Sequence, residues 1–493
     1  MVGRIRSRPA TRASIRIVGD LTLMLTPDRA STKGLLLAHG LMTILLVWPA
    51  HAQKPDTPAA PRLPSGFAAG ADALLARHYP QDAPGAVAIV VKDGRPVFRR
   101  AYGLADLEFG ILLEADMVFR IGSVTKQFTA AAILQMVDAG KLTLDDDVAK
   151  YVEGYDTGGR RVTIEHLLTH TSGIPNYTDL DEWAAHLREE LTPRQILDMI
   201  RVKPPEFEPG AQFKYSNSGY MLLGLVIEKV SGRPYADYIR QMVLPLGMRH
   251  TMYDDPVRVV PRRARGYEWE GDEWRNARYI GMSQPFSAGG LVSTVDDLAL
   301  WNTAIDRGRL LSESSRARWF APFTLKSGRT TGYALGWSVT KHEGLAVAEH
   351  GGGINGFASR VVRIPSERVY VAVLSNNGTS RSGTVARQLA ALAIGRPFKD
   401  PLLAVVPVPT LEEYAGEYEM ADGERIRVGT AKSRLTIHEH GGPTALSPSG
   451  TAEFFEPDGV LRVSFRPDAA TAGMSVTLSG WGEPREGRRV TRK

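Results

Sequence analysis

Apolar positions follow two regimes along this chain. Between residues 67 and 395 they recur in long blocks at helix and strand periods, whereas after Leu411 they come as short alternating runs broken by Gly and Pro. Ala86–Val91 and Val97–Tyr102, joined by Lys92-Asp93-Gly94-Arg95-Pro96, predict a β-hairpin, because Asp-Gly supplies the positive-φ residues of a tight turn. Phe67–His78 has helical spacing. Phe128 to Val137 is apolar almost all the way round, the pattern of a helix buried inside a domain, and Gly140 supplies its stop. Tyr220–Val230 is a second such helix, closed by Gly232; Thr163–Thr169, Val295–Ile305 and Gly383–Ile394 are further helices. Ala358–Ile364 and Arg368–Leu374 predict another hairpin. The stretch 255–280, polar with Trp269 and Trp274, reads as an irregular excursion. Arg396–Thr410 holds four prolines and reads as a linker. Beyond it, Arg425–Val428, Leu435–His438, Leu461–Phe465 and Ser475–Leu478 predict a small antiparallel β domain over 411–493.

Composition changes this picture mainly at the amino terminus. The 493 residues are 43% hydrophobic and 23% charged, ordinary for a globular chain of two or three domains. The net charge of +6 suggests nucleic acid until it is located: residues 1–52 carry seven Lys/Arg against two Asp, leaving a nearly neutral body. That body offers no electrostatic case for DNA or RNA. Arg29 and Lys33 precede the apolar run Leu35–Trp48, and Ala50-His51-Ala52 is an A-x-A site, so 1–52 reads as a signal peptide. Met24 is an alternative start, and an uncleaved anchor is the competing reading of the apolar run. The mature chain is expected to begin near Gln53, exported to the periplasm or medium, with no membrane span. Residues 53–66, rich in proline, are expected to be a disordered leader. The absence of cysteine excludes disulfides, a lipidated cysteine and thiol catalysis.

Three stretches carry candidate chemistry. Ser123 and Lys126 are three apart where the buried helix begins, so both side chains leave one face a turn apart, close enough to share a proton. A serine there also sits against free backbone N–H groups and the positive end of the helix dipole, which favours an oxyanion. Lysine at its usual pKa of about 10.4 is a poor base at neutral pH; desolvation or a proton-sharing phenol makes it useful. Tyr215 in the loop Tyr215-Ser216-Asn217 is a candidate for that phenol, and Asn217 can anchor the lysine and donate to a substrate carbonyl. The third stretch, His350-Gly351-Gly352-Gly353, follows an apolar strand; its glycines let a substrate backbone lie close, and one N–H can join that of Ser123 in an oxyanion hole.

The order S-V-T-K, Y-S-N, H-G-G resembles the penicillin-recognising serine hydrolase superfamily: class C β-lactamases, D-Ala-D-Ala carboxypeptidases, D-aminopeptidases and related esterases. HLLTHTSGIP, PGAQFKYSNSGYMLLGLVIEKVSG and SAGGLVST resemble it too, over about 70–395. The resemblance implies an acyl-enzyme at Ser123, with Lys126 and Tyr215 as a coupled base and acid. It implies that Asn217, His350 and Gly352 contact substrate, and that the oxyanion hole is built from the N–H groups of Ser123 and Gly353. The implied fold is α/β (α+β): an antiparallel sheet flanked by helices, plus a helical subdomain, with a lipocalin-like β domain after 410. It implies a small-molecule or peptide substrate and neither metal nor organic cofactor. Where lactam-cleaving members usually carry Lys-Thr-Gly to hold a carboxylate, this chain has His350-Gly351-Gly352. An imidazole with a pKa near 6.5 carries little charge at pH 7, so the expected substrate is an ester, or a D-amino-acid amide or peptide, before a β-lactam. The competing reading is a non-catalytic penicillin-binding-like sensor, or a module binding ligand through 411–493.

Other signals point to structure. Gly351–Gly356 matches G-x-G-x-x-G, but dinucleotide binding needs a helix next and Phe357–Ile364 is strand-like. His166 and His170 lack the Glu of H-E-x-x-H, His438 and His440 have no third ligand in view, and Asp145-Asp146-Asp147 reads as a turn.

Overall fold

A computed structural model describes residues 61–490 apart from Asp400, Asp422, Lys432, 439–442, 457–459 and 469–472. The signal peptide, residues 53–60 of the leader and His440 lie outside these residues. Within 61–66, Leu63 already packs against the core.

Helix α1 (Phe67–His78) leads into β1 (Ala86–Lys92) and β2 (Arg95–Tyr102), the hairpin expected from Asp93-Gly94. Then come α2 (Thr125–Asp138), α3 (Ile164–Leu168), α4 (Asn217–Ser231) and α5 (Val295–Asp306). Strands β3 (Ser338–His342), β4 (Leu345–Ile354), β5 (Phe357–Ile364) and β6 (Val369–Ser375) follow, and α6 (Ser382–Ala393) ends this part. The sheet is antiparallel throughout, in the order β3-β4-β5-β6-β1-β2. Its neighbouring inner strands β1 (AVAIVVK) and β6 (VYVAVLS) are apolar at nearly every position because both faces are covered. Val87, Ile89 and Val91 face the core shared with α2, α4 and α5; Ala86, Ala88 and Val90 face the one closed by α1 and α6.

Helix α2 is the centre of the larger core. Phe128, Ala130 to Leu134 and Met136 are all buried, and Phe128 stacks on Trp301 of α5 at 4.2 Å. Burying such side chains stabilises by about 1.5–3 kcal/mol for each large one, which fixes the helix start on a rigid frame.

Two expectations are corrected. The 255–280 stretch contains a β-hairpin, Tyr267–Glu270 with Glu273–Asn276, turning at Gly271 and Asp272, both at positive φ. The Arg396–Thr410 linker runs into a short helix, Val408–Tyr414.

The C-terminal part is a closed antiparallel barrel of eight strands, from Gly416–Met420 to Arg485–Arg489, with Tyr418 of the first paired to Arg489 of the last. Alternation sends Tyr418, Phe454, Val463, Phe465, Val476 and others inward, and Tyr414 stacks on Phe465 at 4.5 Å. The interior is thus a packed core. Trp481 of the barrel stacks on His342 of β3 at 4.3 Å, and Arg381 pairs with Glu456 at 3.1 Å.

Candidate active site

Ser123 lies in a single 3-10 turn, Gly122–Val124, that runs directly into α2. The tight turn sets the half-buried hydroxyl at the rim of the helix rather than along its side. One turn on, Lys126 is 0% exposed, the environment that a lysine avoids unless its amine is fully engaged. It is: Nζ lies 3.0 Å from Ser123 Oγ, 2.8 Å from Asn217 Oδ1 and 2.8 Å from the Ala288 carbonyl. Burial drives its pKa well below the ordinary lysine range. In the neutral form its two protons suffice for Asn217 and Ala288, and the lone pair is left facing Ser123 Oγ.

Asn217 is the first residue of α4, not a loop residue as expected, because its preceding residue Ser216 is extended and ends the approach. Its N–H donates to Asn176 Oδ1 at 2.9 Å and its Nδ2 to Thr178 Oγ1 at 3.3 Å, so the amide is oriented with its oxygen on Lys126. Tyr215, two residues earlier, is half-buried, with Lys126 Nζ 4.8 Å from its ring centroid. Burial raises the phenol's pKa, partly offset by the neighbouring Ser123 hydroxyl, so it is an O–H and not a tyrosinate at neutral pH.

The glycines of β4 are explained by contacts a side chain would make. A Cβ on Gly352 would meet the Ile121 carbonyl at 2.0 Å, while Ser359 Oγ donates to that same carbonyl at 2.8 Å. A Cβ on Gly122, at φ +49°, would meet Gly353 N at 2.9 Å. The strand therefore lies directly on the turn that carries Ser123, with the exposed Gly353 against Gly122. Ser123, Lys126, Tyr215, Asn217 and Gly353 lie around this turn.

His350 is placed differently. It is 5% exposed, its Nδ1–H donates to the Gly351 carbonyl at 2.6 Å, and its Nε2 accepts from the Tyr333 hydroxyl at 2.8 Å. Burial lowers its pKa to about 3. Both ring nitrogens are engaged inside the protein, so this imidazole supports the wall of the site and leaves nothing to meet a carboxylate. Of the features unread in the sequence, the Ala288 carbonyl has no residue-type signature at all. Asn176 and Thr178 follow Pro175 without any spacing that marks a partner of Asn217. His166 caps α3, its Nδ1 accepting from Thr163 N–H at 3.2 Å.

The profile of the family described as Beta-lactamase matches residues 72–394. Penicillin-binding protein 4* of Bacillus subtilis (strain 168) is 28% identical over 395 residues, covering 74% of this chain and 86% of that protein. Among solved structures, the octameric penicillin-binding protein homologue from Pyrococcus abyssi matches with a TM-score of 0.62 at 25% identity, over 85% of this chain and 99% of that one. A D-stereospecific amidohydrolase from Streptomyces sp. matches with a TM-score of 0.57 at 28% identity, over 66% of this chain and 99% of its own.

Proposed function

Since the chain belongs to the beta-lactamase family, we propose that it is an exported serine hydrolase that works through an acyl-enzyme at Ser123 on esters or on D-amino-acid amides and peptides. The observation that carries this reading is the fully buried Lys126 amine 3.0 Å from Ser123 Oγ. In the proposed cycle Lys126, neutral because desolvated, takes the Ser123 proton as Oγ bonds to the substrate carbonyl carbon. The N–H groups of Ser123 and Gly353 hold the resulting oxyanion. The C–N or C–O bond then breaks as the proton returns from Lys126 through the Tyr215 phenol to the leaving group. Water attacks the acyl-enzyme, gives its proton to the same pair, and Ser123 is released as the hydroxyl. The D-stereospecific amidohydrolase among its structural relatives supports the amide side of this reading.

Intact mass after exposure to a fluorophosphonate is expected to show one adduct, mapped by peptide mass to Ser123. After exposure to a penicillin, an adduct that decays within the assay marks turnover, one that persists marks a sensor, and no adduct with either reagent returns the chain to a binding module. The filled barrel interior weighs against that last outcome. With His350 occupied and no hydroxyl at Gly351, a lactam carboxylate lacks a charge-assisted and a neutral hydrogen bond, about 2–4 kcal/mol together. Nitrocefin is therefore expected to be turned over roughly 100-fold less efficiently than a p-nitrophenyl ester. Equal kcat/KM on the two substrates would remove the ester and amide preference. Export is proposed from the basic, apolar and A-x-A segments of 1–52 alone; N-terminal sequencing of protein made by a bacterial host is expected to start near Gln53.

A further inference from the structure

A buried titratable residue packed against Tyr215 is left unused by this cycle. His170 is 1% exposed and holds a left-handed backbone at φ +58°, a conformation that non-glycine residues keep when their surroundings over-determine it. Its carbonyl accepts from Lys214 N–H at 2.9 Å, and its Nδ1 accepts from Ser216 N–H at 3.1 Å. The residues on both sides of Tyr215, Lys214 and Ser216, are thus tied through their N–H groups to one residue. Its ring also lies on the Tyr215 ring at 4.2 Å and 34°, with Tyr333 at 4.7 Å behind it.

Accepting at Nδ1 fixes the tautomer: the proton is on Nε2, which is buried without a hydrogen-bond partner. Burial holds the imidazole neutral. A protonated ring would lose the Ser216 bond, so the acceptor role and the neutral state require each other.

We propose that His170 is the positioning residue for Tyr215, clamping its backbone on both sides and its ring on one face so that the phenol stays on Ser123. This rests on the serine hydrolase reading, and it assigns His170 no contact with substrate. The role predicts a split between binding and chemistry. His170→Phe keeps a ring but no acceptor, whereas His170→Asn keeps an acceptor near the Nδ1 position and tolerates the left-handed backbone. The test measures the phosphonylation rate constant and the apparent Kd for a fluorophosphonate, with thermal melting alongside. His170→Phe is expected to lower the rate constant about 30-fold with Kd changed less than about threefold, and His170→Asn to recover most of that loss at similar melting temperature. A His170→Phe rate matching wild type overturns the inference and leaves the hydrolase reading standing. So does an equal loss in both variants that only follows their melting temperatures. Failure of wild type to be labelled at Ser123 overturns both.

Discussion

Lys126→Met is expected to lower kcat/KM on a p-nitrophenyl ester by roughly 10³–10⁴-fold, with the loss in kcat. Methionine matches the length and shape of the lysine stem but can neither take the Ser123 proton nor return it. Ser123, Tyr215 and the glycine backbone remain in place, so ground-state binding is retained. The fold is expected to survive. A buried amine costs desolvation, and removing it offsets the two acceptors left behind, Asn217 Oδ1 and the Ala288 carbonyl, at about 1–3 kcal/mol each. The variant also carries a linkage signature. The native amine titrates well below its ordinary value, while the unfolded amine titrates near about 10.4. Between those two values the unfolded chain binds a proton that the native chain does not, so wild-type stability rises with pH across that window. In Lys126→Met this contribution is absent, and denaturant unfolding curves taken through the window should show the flatter dependence. A variant within tenfold of wild-type activity would move the base elsewhere.

How legible was this site? Ser123 and Lys126 could be read because helix periodicity relates residues three apart, and the apolar run from Phe128 says which way the helix faces. The sheet was readable where strands are buried on both faces, as in AVAIVVK, or turn on Asp93-Gly94. The Tyr267–Asn276 hairpin was not. Its alternation is real, with Tyr267 and Trp269 facing Asn276 and Trp274, but its other face is charged and the Gly271-Asp272 turn sits in a long polar stretch. His350 shows the deeper limit. A residue type and its neighbours in sequence do not say which face of a strand the side chain leaves, and here Tyr333, 17 residues before it, claims the ring. Contacts made through a backbone atom, such as the Ala288 carbonyl on Lys126 and Gly122 against Gly353, leave even less trace in residue identity.

That last contact yields the second large effect. Gly122→Ala is expected to lower kcat roughly 10²–10³-fold, the usual worth of one oxyanion donor, with little change in KM. The new Cβ would sit 2.9–3.1 Å from the N, O and C atoms of Gly353, all of them backbone that cannot rotate away. Its φ of +49° adds strain of about 1–2 kcal/mol for any L-residue. Relief requires β4 to move off the Ser123 turn, which carries the Gly353 N–H away from the place where negative charge develops. Gly353→Ala provides the contrast, since a Cβ there meets nothing within 4 Å and the N–H remains; its kcat is expected to stay within about threefold of wild type. The two glycines, touching one another, should therefore differ by about two orders of magnitude in their sensitivity to a single methyl group. The reverse ranking, measured as kcat on one ester under identical conditions, would show that β4 supplies no oxyanion donor and that its glycines serve only chain packing.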